Sequence, residues 1–149
     1  MANGKNLKRV RIDDLLSFYP KTDNQSKTYN AYKEGKNLVL HGLAGTGKTF
    51  VSLYLALEEV LDKSNKQNDI FIVRSIVSTR DIGFLPGDEQ EKVSIYEAPY
   101  RSICSEFFNV NDAYDSLKAQ GTIKFMSTSF IRGITLNNSV VIVDECQNL

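Results

Sequence analysis

The sequence is poor in the residues that staple small proteins or ligate transition metals. Its 149 residues include two Cys, one His and no Trp, which excludes a disulfide framework and a zinc site of ordinary ligand spacing. We expect Cys104 and Cys146 to be free, buried thiols. Lys plus Arg and Asp plus Glu each number 18, so the formal net charge is zero. A broad basic surface for nucleic acid is therefore not expected, although local basic patches remain open.

Long apolar runs are missing as well. Nowhere do 18 apolar residues follow one another, and the first ten residues are polar and basic. A membrane-spanning helix and a secretory signal peptide are therefore not expected. The sequence favours a cytoplasmic protein with no membrane partner.

Short apolar runs alternate along the chain with helical patterns. Strands are predicted at residues 37–41, 69–74, 122–126 and 140–144, and helices at 24–34, 48–61, 89–108 and 112–119. The run at 37–41 shows no alternation, which is typical of a strand buried on both faces, and Pro99 is expected to split the third helix in two. Strands separated by helices predict right-handed crossovers and a mainly parallel sheet. The predicted fold is α/β, with three layers in the order α/β/α.

Two segments fall outside this regular pattern. Residues 1–23 form a basic and polar N-terminal segment ahead of a single domain over residues 24–149. Residues 75–88 contain Gly83, Pro86 and Gly87, and so predict a long loop. Long loops in compact domains are usually functional.

The strongest motif lies between the first predicted strand and the long helix that follows it. Residues 42–49 read Gly-Leu-Ala-Gly-Thr-Gly-Lys-Thr and fit the phosphate-loop pattern G-x-x-x-x-G-K-[ST] without a mismatch. In such a loop the glycines let backbone N–H groups surround a phosphate at a helix N-terminus. Lys48 is expected to contact the β- and γ-phosphates, and Thr49 to ligate Mg²⁺. The predicted nucleotide contacts here are Gly42, Leu43, Ala44, Gly45, Thr46, Gly47, Lys48, Thr49 and Phe50.

A second motif is an acid pair that follows the last predicted strand, where Asp144 and Glu145 stand together. Asp144 is expected to hold Mg²⁺, and Glu145 to orient and deprotonate the attacking water. With Gln147 this acid pair resembles the D-E-x-Q box of superfamily 1 helicase-like ATPases, which implies that Gln147 senses the γ-phosphate.

The base of the nucleotide is expected to be adenine. Gln25 lies 17 residues before Gly42 (42 − 25 = 17), where those ATPases often place a glutamine that reads adenine, although a plain surface role for Gln25 stays open. The guanine-reading N-K-x-D box is absent, because its nearest match ends in Asn68 rather than Asp. ATP is therefore favoured over GTP.

Taken in order, the motifs resemble the PhoH-like ATPases of bacteria and phages. The resemblance rests on residues 42–49, on Gly-Phe-Leu-Pro-Gly-Asp at 83–88, on Arg-Gly-Ile-Thr-Leu-Asn-Asn at 132–138, and on the D-E-x-Q box. It implies a RecA-like P-loop NTPase that requires Mg²⁺, acts on RNA or other nucleic acid, and assembles into homo-oligomers, with rings suspected. For a phage-encoded member, the location would be the host cytoplasm.

The resemblance also raises an expectation about completeness. Members of the family continue past the acid pair with a Thr-Gly-Asp sensor-like motif and later arginines, whereas this chain stops five residues after Asp144 (149 − 144 = 5). We expect the chain to be either the nucleotide-binding front part of a longer ATPase, cut after the acid pair, or a naturally short version of one. Two alternatives to hydrolysis follow: an ATP-binding regulatory module without turnover, and a small-molecule kinase, against which Glu145 argues because it would activate water.

Two arginines are candidate contacts for nucleic acid or a neighbouring subunit. Arg74 ends the second predicted strand, at the edge where α/β sheets bind ligands, and an ion pair within the fold is its alternative. Arg132 lies in the Arg-Gly-Ile-Thr segment. Single-stranded RNA or DNA is the expected partner besides ATP.

Overall fold

A computed structural model describes residues 9–76 and 89–148 of the chain. Within them it has helices α1 (Asp23–Lys33), α2 (Lys48–Leu61), α3 (Glu89–Phe108) and α4 (Ala113–Ala119), and strands β1 (Asp69–Arg74), β2 (Ile123–Ser127) and β3 (Ser139–Asp144). Short 3₁₀ helices occupy Ile12–Asp14, Thr128–Phe130 and Cys146–Asn148. Most of the loop predicted at 75–88 lies outside the described residues.

The sheet of the described residues has three strands in the order β2-β1-β3, and both pairings are parallel. The α/β class and the parallel sheet are therefore confirmed. In the register, Arg74 stands opposite Ser127 on one side and Asp144 on the other. The carboxyl ends of all three strands thus meet at one edge of the sheet, the edge at which open α/β sheets bind ligands.

Helices and sheet share one apolar core. Ile70 and Ile72 of β1 belong to it, together with buried side chains of α2, α3 and α4, while Phe71 and Val73 are buried on the opposite face of the strand. The described helices thus supply one helical layer of the predicted three-layer arrangement. None of them is long and apolar enough to cross a membrane.

Helix α2 fixes the phosphate-loop motif to this core. Its sequence contains four Leu and two Glu, which favour helix, and eight of its residues are buried, from Val51 to Leu61. At its first turn Phe50 packs edge-on against Phe18 at 5.3 Å and Phe107 at 4.7 Å between ring centroids. The start of the helix, and with it Lys48 and Thr49, is therefore held by aromatic packing.

The predicted break at Pro99 is wrong. Helix α3 runs continuously from Glu89 to Phe108 with Pro99 inside it and exposed to solvent. Proline removes one helical hydrogen bond and crowds the preceding turn. Tyr100, Cys104 and Phe107 after the proline are fully buried in the core, and this packing outweighs the local cost.

The strand predicted at 37–41 is also wrong: the structure has no strand there. Leu38 and Leu40 are partly buried, while Val39 is 86% exposed and His41 is exposed. The segment is therefore partly buried on one side and exposed on the other, and is not buried on both. A strand needs a hydrogen-bonded neighbour, and no strand of the described residues pairs with this segment.

The two cysteines differ from each other. Both are free, as expected, but only Cys104 is buried, and Cys146 is exposed. Burial raises the pKa of the Cys104 thiol to about 12. The expectation of two buried thiols is thus wrong for Cys146, which lies in the short 3₁₀ helix after β3 rather than in the core.

Candidate functional site

The loop before α2 has the backbone that the glycine-rich motif predicts. Gly45 and Gly47 adopt left-handed φ angles of +81° and +86°, which residues with a Cβ rarely adopt. Gly47 is also the N-cap of α2, so the loop turns directly into the positive end of a 14-residue helix. Such an arrangement can bind an anion through its backbone N–H groups.

The Lys48 side chain folds back over this loop. Its ammonium Nζ donates to the carbonyl oxygens of Gly42 at 2.8 Å and Leu43 at 3.0 Å. Thr46 Oγ1 also donates to the Leu43 carbonyl, at 2.8 Å. The ammonium therefore lies across the loop, where it can meet the charge of a phosphate held there.

Thr49 and Asp144 come together although 95 positions separate them in sequence. The Thr49 hydroxyl lies 3.4 Å from Asp144 Oδ1 and 3.3 Å from Oδ2. This contact joins the first turn of α2 to the carboxyl end of β3. The structure thus brings together the two residues that the sequence assigns to a metal.

The donors at this point suit Mg²⁺ bound together with a phosphate. Hydroxyl and carboxylate oxygens are the ligands that Mg²⁺ prefers, and it is commonly held by one or two side chains plus substrate phosphates. Among the described residues no three His, Cys, Asp or Glu side chains cluster to hold a metal by themselves. Thr49 and Asp144 therefore fit a metal that arrives with a nucleotide.

Glu145 has a strained backbone. Its φ is +52°, in the left-handed region that non-glycine residues rarely occupy. Its N–H donates to Asp144 Oδ1 at 3.0 Å, and its carboxylate accepts a hydrogen bond from the Gln147 side chain. Such strain is concentrated at functional sites because it fixes the direction of a side chain. Glu145 and Gln147 are therefore coupled, with Asp144 beside them.

Gln25 reaches the phosphate loop from α1. Its Nε2 donates to the Thr46 carbonyl at 3.4 Å, and its Oε1 accepts from the Lys21 N–H at 2.8 Å. An amide has two N–H donors and two acceptor lone pairs, so each side retains capacity for one more bond. A donor and an acceptor thus remain for the edge of an adenine ring.

The remaining predicted residues meet other groups. The Phe50 ring packs in the aromatic core, which leaves its backbone N–H as the part able to serve the loop. The Arg74 guanidinium lies 5.4 Å from the Tyr96 ring centroid, donates to the Tyr96 carbonyl at 3.4 Å, and also bonds to the hydroxyl of Tyr100. Arg132 is exposed in the connection between β2 and β3.

Tyr100 belongs to no motif of the sequence, yet it contacts the site. The side chain is 1% exposed, yet its hydroxyl donates to Asp144 Oδ2 at 2.7 Å. Burial and this bond to a carboxylate raise the pKa of Tyr100. No local pattern marks such a contact, since it joins α3 to β3 across 44 positions.

A glycine loop that opens a helix, a lysine lying across it, and a hydroxyl facing a carboxylate at the end of a parallel strand define a P-loop NTPase. The match to known families is more specific. The model of the family described as "PhoH-like protein" matches residues 17–149, and the chain belongs to this family.

Curated relatives agree with this membership. A PhoH-like protein of Synechocystis sp. is 36% identical over 129 residues, which cover 86% of this chain and 38% of that protein. A PhoH-like protein of Bacillus subtilis is 33% identical over 86% of this chain and 40% of its own length. Protein PhoH2 of the same organism is 32% identical over 98% of this chain and 35% of its own length. The chain thus spans a little over a third of the length of these relatives.

Proposed function

We propose that this chain binds ATP with Mg²⁺ and hydrolyses it, as the nucleotide-binding part of a PhoH-like ATPase. The observation that carries the proposal is the contact between Thr49 and Asp144 at 3.3 Å, beside a loop crossed by the Lys48 ammonium. A binding loop alone would hold an anion. The Asp144 carboxylate beside the Thr49 hydroxyl can in addition hold a cation against that anion.

The proposed reaction is in-line attack of water on the γ-phosphorus. The water O–P bond forms as the bond between the γ-phosphorus and the bridging oxygen breaks, ADP leaves, and the proton of the water passes to the Glu145 carboxylate. Bound Mg²⁺ would neutralise charge on the β- and γ-phosphates. Lys48 would leave the Gly42 and Leu43 carbonyls for the phosphate oxygens, and Gln147 would keep Glu145 oriented.

The base would be read by Gln25. Its free acceptor can take a hydrogen bond from the exocyclic amine of adenine and its free donor can give one to the ring nitrogen, whereas guanine presents a carbonyl at the position of the amine. The side chain already bonds to the Thr46 carbonyl. Base recognition and the phosphate loop would therefore be linked directly.

Two variants test the proposal. Lys48→Ala should lose tight ATP binding, and Glu145→Gln should bind ATP but release no phosphate. The matched controls are Lys63→Ala and Glu106→Gln, which alter exposed side chains and should leave binding and release unchanged. Binding is measured by titration calorimetry and release by a coupled phosphate assay. Wild-type phosphate release from both site variants would refute the proposed roles; binding without release in the wild type would favour the non-hydrolysing module.

Coupling to nucleic acid is a further part of the proposal. Arg132 is exposed, and Arg74 is held at the sheet edge by Tyr96; either can contact a phosphate backbone or a neighbouring subunit of a ring. The setting proposed is the cytoplasm, and the partner single-stranded RNA or DNA. Filter binding at two salt concentrations, with and without ATP, tests this. Equal retention of nucleic acid with and without ATP would contradict the coupling.

A further inference from the structure

The Asp144 carboxylate has a third partner besides Thr49 and the Glu145 N–H. Tyr100 lies in α3 directly after Pro99, is 1% exposed, and donates its hydroxyl hydrogen to Asp144 Oδ2 at 2.7 Å. This is shorter than the 3.3 Å from Thr49 Oγ1 to the same oxygen. An O–H bond of this length to a carboxylate is typical of the stronger, charge-assisted kind.

The phenol ring is itself held in place. Its centroid lies 5.8 Å from that of Phe125 in β2, and the side chain belongs to the apolar core with Cys104 and Phe107 of the same helix. Because packing fixes the Tyr100 hydroxyl, its hydrogen bond restricts the orientation of the Asp144 carboxylate. The Asp144 side chain is thus tied to the core through a rigid group, in addition to its own strand.

We propose that Tyr100 is a positioning residue for Asp144, and that its hydrogen bond sets the orientation in which the carboxylate receives Mg²⁺ bound to a nucleotide. The inference rests on the proposed function, because it assigns Asp144 to that metal. The bond occupies one lone pair of Oδ2 and the Glu145 N–H occupies one of Oδ1. Each oxygen keeps one further lone pair, which faces the Thr49 hydroxyl at 3.3–3.4 Å in this structure and would face a cation that replaced its hydrogen.

A positioning role predicts a defect specific to the metal. Hydrogen bonds that orient a metal-ligating carboxylate commonly change metal affinity by about 10- to 100-fold when they are removed. Tyr100→Phe keeps the ring and its packing while deleting the hydroxyl, which donates to Asp144 and accepts from Arg74. We therefore expect the variant to bind metal-free nucleotide with wild-type affinity. The factor by which Mg²⁺ increases nucleotide affinity should be about tenfold smaller than in the wild type.

The experiment compares the dissociation constant of a non-hydrolysable ATP analogue in excess Mg²⁺ with that in EDTA. The ratio of the two constants measures the contribution of the metal without any turnover. Tyr114→Phe is the matched control, because Tyr114 is also fully buried and donates to a carboxylate, Glu97, at 2.5 Å, away from the phosphate loop. All variants are measured at a temperature where circular dichroism shows them folded.

Tyr100→Phe should lower the gain in nucleotide affinity from Mg²⁺ about tenfold and leave the dissociation constant in EDTA unchanged. Tyr114→Phe should show the wild-type gain in affinity. In an Asp144→Asn background, Tyr100→Phe should have no further effect. The positioning role would be overturned if Tyr100→Phe kept the wild-type gain in affinity from Mg²⁺, or if it weakened nucleotide binding equally with and without Mg²⁺. It would also be overturned if Tyr114→Phe lost as much of that gain. If the wild type binds no nucleotide in either condition, the proposed function itself fails, and the inference with it.

Discussion

Gly47 offers a test of the phosphate loop that removes no functional group. Its φ of +86° is strained for any residue with a Cβ. An added Cβ would meet only Gln25 Nε2, at 3.5 Å, which is ordinary contact. Gly47→Ala would therefore act through backbone conformation and not through a clash.

The magnitude follows from the cost of the left-handed conformation, about 1–2 kcal/mol for a non-glycine residue. For stability, part of this cost is offset because alanine also restricts the unfolded chain by about 0.4–1 kcal/mol. Where the empty protein keeps the strained φ, a net loss of about 1 kcal/mol corresponds to a fall in Tm of about 2–4 °C in a chain of this size.

Nucleotide binding has no such offset, because the free and the bound protein are both folded. If the loop of the Gly47→Ala variant relaxes when empty, binding must restore the strained φ at a cost of about 1–2 kcal/mol. That cost corresponds to an affinity about 5- to 30-fold weaker. In that case the cost appears in binding instead of in unfolding, so Gly47→Ala should weaken affinity for ATP about 5- to 30-fold with little fall in Tm.

Gly35 provides a matched control. It has a φ of +84°, and an added Cβ would meet nothing within 4 Å, but it lies just after α1 and away from the loop. Gly35→Ala should show the fall in Tm of about 2–4 °C, measured by circular dichroism, with wild-type affinity for ATP, measured by calorimetry. Wild-type affinity for ATP in Gly47→Ala, or an equal loss of affinity in Gly35→Ala, would show that the φ of Gly47 does not govern nucleotide binding.

Two further predictions concern the core and the thiols. Phe107→Ala should lower the free energy of unfolding by about 3–5 kcal/mol, since its ring is fully buried and packs on the rings of Phe18 and Phe50; urea unfolding measures this, and a loss below about 1 kcal/mol would show that the aromatic cluster does not hold α2. Alkylation at pH 8, followed by mass spectrometry, should modify Cys146 and spare Cys104: a thiol reacts as its thiolate, and the raised pKa keeps Cys104 protonated at that pH. Equal modification of both in the folded protein would contradict the burial of Cys104.

Local sequence predicted the elements whose structure depends on neighbours in the chain. The helix at 48–61 and the strand at 69–74 have their predicted bounds, because composition and the glycine loop suffice to define them. Pro99 shows the limit of such reasoning. The packing of Tyr100 and Phe107 keeps α3 helical, and packing partners from distant segments cannot be read from a local propensity.

The same limit applies to the segment at 37–41 and to the site. An apolar run indicates that a segment can be buried, but strand pairing depends on which edge is available, and the structure has no strand there. The motifs predicted that Thr49 and Asp144 would meet, since both belong to patterns with known spacing. The Tyr100 bond to Asp144 belongs to no motif and required the three-dimensional placement of α3 against β3.

In the proposed function the phosphate loop and the end of β3 form one nucleotide site. This is measured by titration calorimetry of Mg²⁺–ATP into the wild type and into Lys48→Ala. The wild type should bind one nucleotide per chain, and Lys48→Ala should bind about 100-fold more weakly, since hydrogen bonds from a charged group contribute on the order of 1.5–3 kcal/mol. Absence of binding by the wild type, or equal affinity in the two proteins, would contradict the claim.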